Sequence, residues 1–310
     1  MSNFLWVEKY RPSKVSECIL PKDLQKVFQE FVDRGFVPNI LMTGGPGVGK
    51  TTVARAMLNE LGHDYLFING SMNGNIDILR NDISQFASTV SLDGKRKFVI
   101  LDEADYLNAN STQPALRSFM EEFSENCGFI LTCNYQNKII KELHSRCSVI
   151  DFKFEKSEKA SIASRFFTRL QDILKEEGVS YQNGALVKII TKHFPDWRRI
   201  INEVQKLSVY GEINEDNVDA TDSDYNQLID LLKKQKFYEI RKWVSENTSD
   251  NATVYNKLLH SIPEHVSEVS AARATIVIAD YMYRDAFVVD KEINLTACLT
   301  QLLIDIEWKN

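Results

Sequence analysis

The chain has 310 residues, 44% of them hydrophobic and 26% charged, which is the composition of an ordinary globular protein of about two or three domains. Its formal net charge of −6 argues against a surface coated with basic residues for nucleic acid, but a few placed cations can still hold DNA. No apolar run approaches the ~20 residues of a membrane span, and no cysteine pair suggests zinc or a disulfide, so we expect a cytoplasmic protein without a membrane partner.

The N-terminal segment differs from a low-complexity linker. Residues 6–12 read WVEKYRP and combine an aromatic pair and two cations with a proline that restricts the local backbone. Apolar residues at helical spacing then predict an amphipathic helix over residues 24–31, which Gly35 and Pro38 end before the first strand.

Residues 44–52 read GGPGVGKTT and match the phosphate-binding pattern G-x-x-x-x-G-K-[ST]. An apolar run at 40–42 precedes the motif and helical spacing over 52–61 follows it, so it lies between a strand and a helix, as this motif requires. The glycines let backbone N–H groups point at phosphate oxygens, and the helix N-terminus adds partial positive charge. Lys50 can bridge the outer phosphates, and Thr51 can place a hydroxyl on Mg²⁺. A glycine-rich turn without a nucleotide is the alternative.

A pair of carboxylates follows the third predicted strand. A strand is predicted at 65–68 and a helix at 76–90, and the apolar run FVIL at 98–101 then leads directly into Asp102 and Glu103. This is the Walker B arrangement, in which a strand delivers carboxylates to the sheet edge where nucleotide-binding sheets hold ligands. Asp102 can hold Mg²⁺, mostly through water, and Glu103 can orient or deprotonate the attacking water.

The next strand also ends in polar residues. Ser111 or Thr112 can cap the helix that precedes it, and the strand itself is predicted over residues 129–131. It ends in the sequence TCN, whose Asn134 can touch both a γ-phosphate and the attacking water. Taken alone, an asparagine after a strand is usually a turn residue, but its position in this order of motifs makes Asn134 a candidate.

Arg146 follows in the segment LHSRC, at residues 143–147. One interpretation is a surface salt bridge. The other is an arginine finger that reaches the γ-phosphate bound by a neighbouring subunit, a group worth roughly 10³–10⁵ in rate.

Helical spacing dominates the chain from about residue 153 onward. Asp196 suits a helix N-cap, which places Arg198 in the first turn as either a structural arginine or a phosphate contact. A polar, acidic stretch at 212–223 is interpreted as a linker, and the helical segments beyond it as a scaffold or oligomerisation surface.

The ordered motifs GGPGVGKTT, LDEAD, TCN, SRC and DWRR resemble those of AAA+ ATPases of the sliding-clamp-loader clade. WVEKYRP resembles the N-terminal box of replication factor C small subunits. The segments SECILP, FINGS, LRSFME and SRC are similar to those of the large subunits of T-even-type bacteriophage clamp loaders. The resemblance covers about the first 220 residues, so the role of the remainder rests on position alone. It implies three domains: an α/β P-loop (AAA+) domain with a parallel sheet over 1–152, a helical lid over 153–220 and an all-helical collar over 221–310.

The resemblance also implies roles for individual residues. It implies an adenine pocket lined by residues near the N-terminus, namely Val7, Glu8, Lys9, Tyr10 and Ile19. The implied phosphate cradle consists of the loop residues Gly47, Val48, Gly49, Lys50, Thr51 and Thr52. Thr51 and Asp102 would hold the metal, and Arg198 would sense the nucleotide as sensor 2. The implied catalytic set is Lys50, Asp102, Glu103, Asn134 as sensor 1, and Arg146 acting in trans.

A clamp loader of this kind uses ATP and Mg²⁺, and we expect its partners to be a sliding clamp, a different loader subunit and primer–template DNA. The phage loader is expected to combine four copies of this subunit with one of the other, in the cytoplasm of an infected bacterium. The implied contacts to the DNA backbone are Asn75, Arg80, Ser111 and Thr112, with Gln113 relaying DNA contact to the catalytic site. The exposed face of residues 76–92, including Phe86 and Leu92, is a candidate clamp surface, although Phe86 also fits a core position.

Other functions remain to be weighed against this one. A protein unfoldase needs an aromatic pore loop, whereas residues 71–75 read SMNGN. A different DNA-remodelling motor of the helicase type has no reason to carry the N-terminal box. A scaffold that binds nucleotide without hydrolysing it would tolerate loss of Lys50, Asp102, Glu103 or Arg146, and all four are present.

Overall fold

A computed structural model describes residues 4–72, 76–91, 94–247 and 251–308 of the chain, without the side chains of residues 76–78 and 219–224. Its contacts divide the chain into two units, Met1–Glu215 and Asp216–Asn310. The predicted boundary at residue 152 falls inside the first unit. The division of that unit into an α/β domain and a lid therefore stays a prediction.

The first unit contains a parallel sheet of five strands in the order β2-β3-β4-β1-β5. The strands are β1 (Ile40–Thr43), β2 (Tyr65–Asn69), β3 (Lys97–Asp102), β4 (Cys127–Cys133) and β5 (Ser148–Asp151). Every residue of β1 and β4 is buried, as expected of central strands covered on both faces. Thr43 pairs with Cys133 and Leu101 with Leu131, so the segments that follow β1, β3 and β4 emerge at one edge.

Successive side chains of each strand point to opposite faces of the sheet, so both faces present apolar side chains, and helices cover both. The helices of this part are α1 (Trp6–Lys9), α2 (Lys22–Arg34), α3 (Lys50–Leu61), α4 (Ile76–Ser88), α5 (Thr112–Glu122) and α6 (Lys141–His144). One core cluster joins Phe28 of α2 and Met57 of α3 to Met42 of β1. The other joins Leu79 of α4 and Phe119 of α5 to the opposite face. The sheet is thereby fixed between two apolar layers, with its polar edge free for a ligand.

Three further helices complete the first unit and are called the lid helices below. They are α7 (Lys159–Glu177), α8 (Asn183–His193) and α9 (Trp197–Ser208), with a parallel pair of short strands, β6 (Ser180–Tyr181) and β7 (Glu212–Ile213). Asp196 caps α9 as predicted, because its Oδ1 accepts a hydrogen bond from the backbone N–H of Arg199 at 3.0 Å. The side chains of Phe166 and Trp197 stack with their ring centroids 4.3 Å apart.

The second unit is helical, with α10 (Glu215–Lys233), α11 (Phe237–Asn247), α12 (Asn251–His265), α13 (Glu268–Asp285) and α14 (Lys291–Asp305). The linker predicted over 212–223 is wrong, since β7 and the start of α10 occupy this stretch. Ile213 and Val218 are buried there, so apolar anchors outweigh the acidic residues around them. Among the described helices, none is long and apolar enough to cross a bilayer.

Candidate nucleotide-binding site

A cleft lies at the polar edge of the sheet, within the first unit. It is lined by the loop at residues 46–52, the ends of β3 and β4, the N-terminal segment and two lid helices, α7 and α9. One cleft therefore brings together the P-loop, the Walker B carboxylates and Asn134. In the sequence these features are spread over about 90 residues.

The phosphate loop is held in a conformation that requires glycine. Gly49 has a φ of 100° and caps the N-terminus of α3, and Gly47 has a φ of 72°. A Cβ atom on Gly47 would lie 1.8 Å from Oδ1 of Asp196, and the carbonyl of Gly47 accepts a hydrogen bond from the N–H of Trp197 at 3.1 Å. The loop is thus a preformed cradle whose backbone touches the start of α9.

Lys50 joins the P-loop to the end of β4. Its buried ammonium donates hydrogen bonds to the carbonyls of Gly44 and Gly45, both at 2.7 Å, and to Oδ1 of Asn134 at 3.0 Å. Burial lowers the pKa of Lys50, and the nearby charge of Arg198 acts in the same direction. A phosphate anion would offset this electrostatic cost, because it would pair with a cation that already lies in the cradle.

The carboxylate of Asp102 is hydrogen-bonded to two hydroxyl groups. Its Oδ1 accepts hydrogen bonds from Thr51 Oγ1 at 2.5 Å and from Thr132 Oγ1 at 2.6 Å. A threonine hydroxyl beside a carboxylate is a set of hard oxygen donors, so the residues present fit a Mg²⁺ ion. Thr132 is a residue that the sequence reasoning missed, although it stands in the TCN segment that pointed to Asn134.

Glu103 has an unusual backbone for a residue that is not glycine, with φ 54° and ψ 44°. Its N–H donates a hydrogen bond to Thr132 Oγ1 at 3.1 Å, so one threonine contacts both Walker B residues. Its carbonyl oxygen would lie 2.6 Å from a Cβ atom on Gly70, which explains the glycine after β2. Strain held by surrounding contacts is a feature of functional sites.

The N-terminal residues reach the cleft in part. Val7, Tyr10 and Ile19 line it, whereas Glu8 pairs with Arg11 and Lys9 pairs with a lid residue. That residue is Glu177, whose Oε1 accepts hydrogen bonds from Lys9 Nζ at 2.7 Å and Tyr10 OH at 2.6 Å. Both bonds lower the pKa of Glu177. The adenine-binding role of all five N-terminal residues stays a prediction.

The lid helices contribute more of the cleft than the sequence suggested. Arg198 lines it together with Trp197 and Ile201 of α9. Phe166, Arg169 and Ile173 of α7 line it as well. The spacing of three and four residues along α7 was the available signal, since it puts these side chains on one helix face.

Comparisons with known proteins agree with this geometry. The family model "ATPase family associated with various cellular activities (AAA)" matches residues 40–156. The sliding-clamp-loader large subunit of Enterobacteria phage T4 is 32% identical over 97% of this chain and 96% of its own length. That of Escherichia phage RB69 is 31% identical over the same shares. The chain belongs to the clamp-loader family of AAA ATPases.

This membership confirms the predicted family, and with it nucleotide binding and ATP hydrolysis as activities of the chain. A replication factor C small subunit from Thermofilum pendens is 32% identical over 98% of both chains, as the N-terminal box suggested. A RuvB branch migration motor from Thermotoga maritima has a TM-score of 0.53 over 74% of this chain and 80% of that one. At 22% identity this last likeness shows the fold alone.

Arg146 of this clamp-loader chain lies away from its own cleft. Its Nε donates to Glu121 Oε1 at 3.0 Å, its Nη2 also bonds that carboxylate, and its Nη1 donates to the carbonyl of Glu142 at 3.0 Å. The contact with Arg146 lowers the pKa of Glu121. Arg146 is not one of the described residues that line the cleft. The chain by itself therefore does not bring this guanidinium to its own P-loop.

The residues implied as DNA contacts fall into different environments. Arg80 and Ser111 are exposed, and Ser111 directly precedes α5. Thr112 is fully buried, which corrects its prediction as a DNA contact, because its side chain cannot reach a phosphate in this conformation. Asn75 lies outside the described residues, as does Leu92 of the candidate clamp surface. Phe86 is partly buried against the core cluster that contains α4.

Gln113 is completely buried next to the catalytic elements. Its Nε2 donates hydrogen bonds to the carbonyls of Leu107 and Lys138, both at 3.0 Å, and its Oε1 accepts one from the N–H of Ile140 at 2.9 Å. It therefore links the start of α5 to the turn after the Walker B residues and to the loop after Asn134.

Proposed function

We propose that the chain is the ATPase subunit of a loader that opens a sliding clamp and places it on primer–template DNA during replication. Further copies of itself and a different subunit complete the assembly, in the cytoplasm of an infected bacterium. Full-length similarity to phage sliding-clamp-loader large subunits supports the clamp as partner. One observation supports a site that is shared between subunits. The cleft holds Lys50, Asp102, Glu103 and Asn134, whereas Arg146 lies elsewhere and bonds Glu121.

Binding of the nucleotide would use the preformed cradle. The backbone N–H groups of residues 47–52 would hold the phosphates, Val7, Tyr10 and Ile19 would contact the adenine, and Arg198 would contact a phosphate from the lid side. Lys50 would exchange its bonds to the Gly44 and Gly45 carbonyls for phosphate oxygens. Thr51 and Asp102 would hold Mg²⁺, which neutralises charge on the β- and γ-phosphates when bound.

Hydrolysis would divide between two subunits. Glu103 would orient the attacking water and receive its proton, and the Asn134 amide would hold that water against the γ-phosphate. Arg146 of a neighbouring copy would stabilise the charge that develops in the transition state. An isolated chain would then bind ATP but hydrolyse it slowly, because its own Arg146 is not among the described residues that line its cleft.

DNA would act on this site through Gln113. A contact at Ser111 would move the start of α5, and Gln113 would pass that movement to the 138–140 segment that follows Asn134. Arg80 of α4 would add a second contact to the DNA backbone. Since DNA would be held by its phosphates, the loader would have little sequence preference.

The decisive experiment measures steady-state ATP hydrolysis by the chain alone, with primer–template DNA, and with DNA, the partner subunit and the clamp. We expect strong synergy that needs all the components. Full activity of the chain alone, unchanged by DNA and clamp, would refute the loader and identify a self-contained motor instead.

A further inference from the structure

Asp105 is a buried carboxylate to which neither the sequence motifs nor the proposed mechanism gives a role. The left-handed turn at Glu103 and the following helical turn, Ala104–Tyr106, carry it inward, and it is only 6% exposed. Its Oδ2 accepts hydrogen bonds from the backbone N–H groups of Asn134 at 3.3 Å and Tyr135 at 3.2 Å. Its Oδ1 is buried without a hydrogen-bond partner in the described part of the chain.

These two amides lie just beyond the sheet. The pairing of β4 with β1 ends at Cys133, and its pairing with β3 ends at Leu131, so residues 134 and 135 have no ladder partner across the sheet in those registers. The carboxylate of Asp105 supplies the missing acceptor. One oxygen that accepts hydrogen bonds from two consecutive backbone amides can hold a loop that the sheet has released.

The burial of this carboxylate is costly, because one of its oxygens has lost water without gaining a donor. The contacts that Asp105 makes indicate what this cost supports. The side chain of Asn134 bonds Lys50 at 3.0 Å, and its backbone is held by Asp105. Asp105 itself is absent from the described residues that line the cleft, so it acts behind Asn134 rather than on the nucleotide.

We propose that Asp105 is a positioning residue, which fixes the side-chain amide of Asn134 relative to Glu103 and Lys50 through the two backbone amides. This inference rests on the proposed function, in which Asn134 holds the attacking water. Glu103 and Asp105 share one short turn after the Walker B strand. That turn then sets the positions of both groups that contact the water, Glu103 directly and Asn134 through Asp105.

The test compares Asp105→Ala, Asp105→Asn, Asn134→Ala and the double variant Asp105→Ala/Asn134→Ala. Each is assayed for kcat in the complete assembly with partner subunit, clamp and primer–template DNA, and for binding of a fluorescent ATP analogue. Asp105→Asn is the matched control, because an amide oxygen can still accept both hydrogen bonds while the charge is removed. Melting temperatures confirm that each variant is folded.

We expect Asp105→Ala to lower kcat about 10- to 100-fold, the loss that follows from misplacing a reacting group, with nucleotide affinity changed less than about threefold. Asp105→Asn should stay within about threefold of the wild-type kcat. In the Asn134→Ala background, Asp105→Ala should have almost no further effect, because it acts through that side chain.

Three results would overturn the inference. The first is a kcat in Asp105→Ala that stays near the wild-type value. The second is a full, multiplicative effect of Asp105→Ala in the Asn134→Ala background, and the third is a loss in Asp105→Asn greater than about tenfold, which would assign the effect to charge on the site. If Asp105→Ala does not fold, Asp105→Ser, which has a shorter polar side chain, takes its place in the same comparison. An unchanged kcat in Asn134→Ala would instead refute the water-holding role of Asn134, which is a failure of the proposed function.

Discussion

Lys50 and Asn134 are hydrogen-bonded to each other, with the ammonium nitrogen 3.0 Å from the amide oxygen. Two motifs that are 84 residues apart in the chain therefore share one contact in the cleft. The same ammonium is also bonded to two P-loop carbonyls. If the Lys50 ammonium bonded a γ-phosphate instead, the side-chain oxygen of Asn134 would lose this hydrogen bond. Nucleotide binding and the position of the water-holding amide are therefore linked.

Thr132 is predicted to support catalysis although no motif assigned it a role. Its hydroxyl donates to Asp102 and accepts from the N–H of Glu103, so Thr132→Val removes both contacts at nearly constant volume. We expect kcat to fall about 10- to 100-fold and the Mg²⁺ concentration for half-maximal activity to rise, since Asp102 and Glu103 both lose a hydrogen bond that holds them in place. Titration of ATPase activity with Mg²⁺ measures both effects. Thr132→Ser keeps the hydroxyl and should stay near wild type; an equal loss in this control would contradict the assignment.

Arg146→Ala tests the division of the site between subunits. The variant should bind ATP like the wild type, because Arg146 contacts Glu121 and Glu142 and lies outside the cleft lining described here. Turnover by the assembly should fall at least ~10³-fold, the contribution of an arginine finger. Binding of a fluorescent ATP analogue and steady-state hydrolysis separate the two effects. Normal turnover by a verified variant assembly would rule out the trans role.

Gln113→Ala should uncouple hydrolysis from DNA. The substitution leaves the carbonyls of Leu107 and Lys138 and the N–H of Ile140 without their buried partner, so the free energy of unfolding should fall by roughly 1–3 kcal/mol. We expect basal hydrolysis to persist while stimulation by primer–template DNA is lost. The ratio of rates with and without DNA, measured beside a urea unfolding curve, is the informative quantity. Retained stimulation in a destabilised variant would assign Gln113 a structural role only.

Glu177→Ala tests the link between the N-terminal box and the lid. It removes the acceptor for Lys9 and Tyr10, and Tyr10 lines the cleft, so ATP affinity should weaken about two- to fivefold, the usual range for a partly exposed pair. Glu176→Ala, an exposed neighbour on the same helix, is the matched control.

The same contact has a predictable pH dependence. Hydrogen bonds from Lys9 and Tyr10 lower the pKa of the Glu177 carboxyl, so the contact contributes above the ordinary carboxyl pKa and is lost as the pH falls through the lowered value. The affinity difference between Glu177→Ala and wild type should therefore be constant over about pH 6–8. A difference that disappears within this range would show that another group controls the link.

The local patterns were sufficient for much of this protein. The P-loop, the Walker B carboxylates and the Asp196 cap depend on a few consecutive residues, whose backbone geometry is set by glycine, by strand ends and by a helix start. The continuous apolar runs of β1 and β4 are the pattern that a strand buried on both faces requires. Such patterns were enough to predict the fold class, the ATPase family and the edge of the sheet that carries the site.

The contacts between segments that are distant in the chain could not be predicted from these patterns. The bond from Tyr10 to Glu177 joins residues 167 positions apart, and no periodicity encodes such a contact. The same holds for the place of Thr132 between Asp102 and Glu103 and for the burial of Thr112, which removes it from the DNA-accessible surface. Helical and strand periods specify which face of an element is apolar, but the packing of one element on another sets which polar groups are brought together.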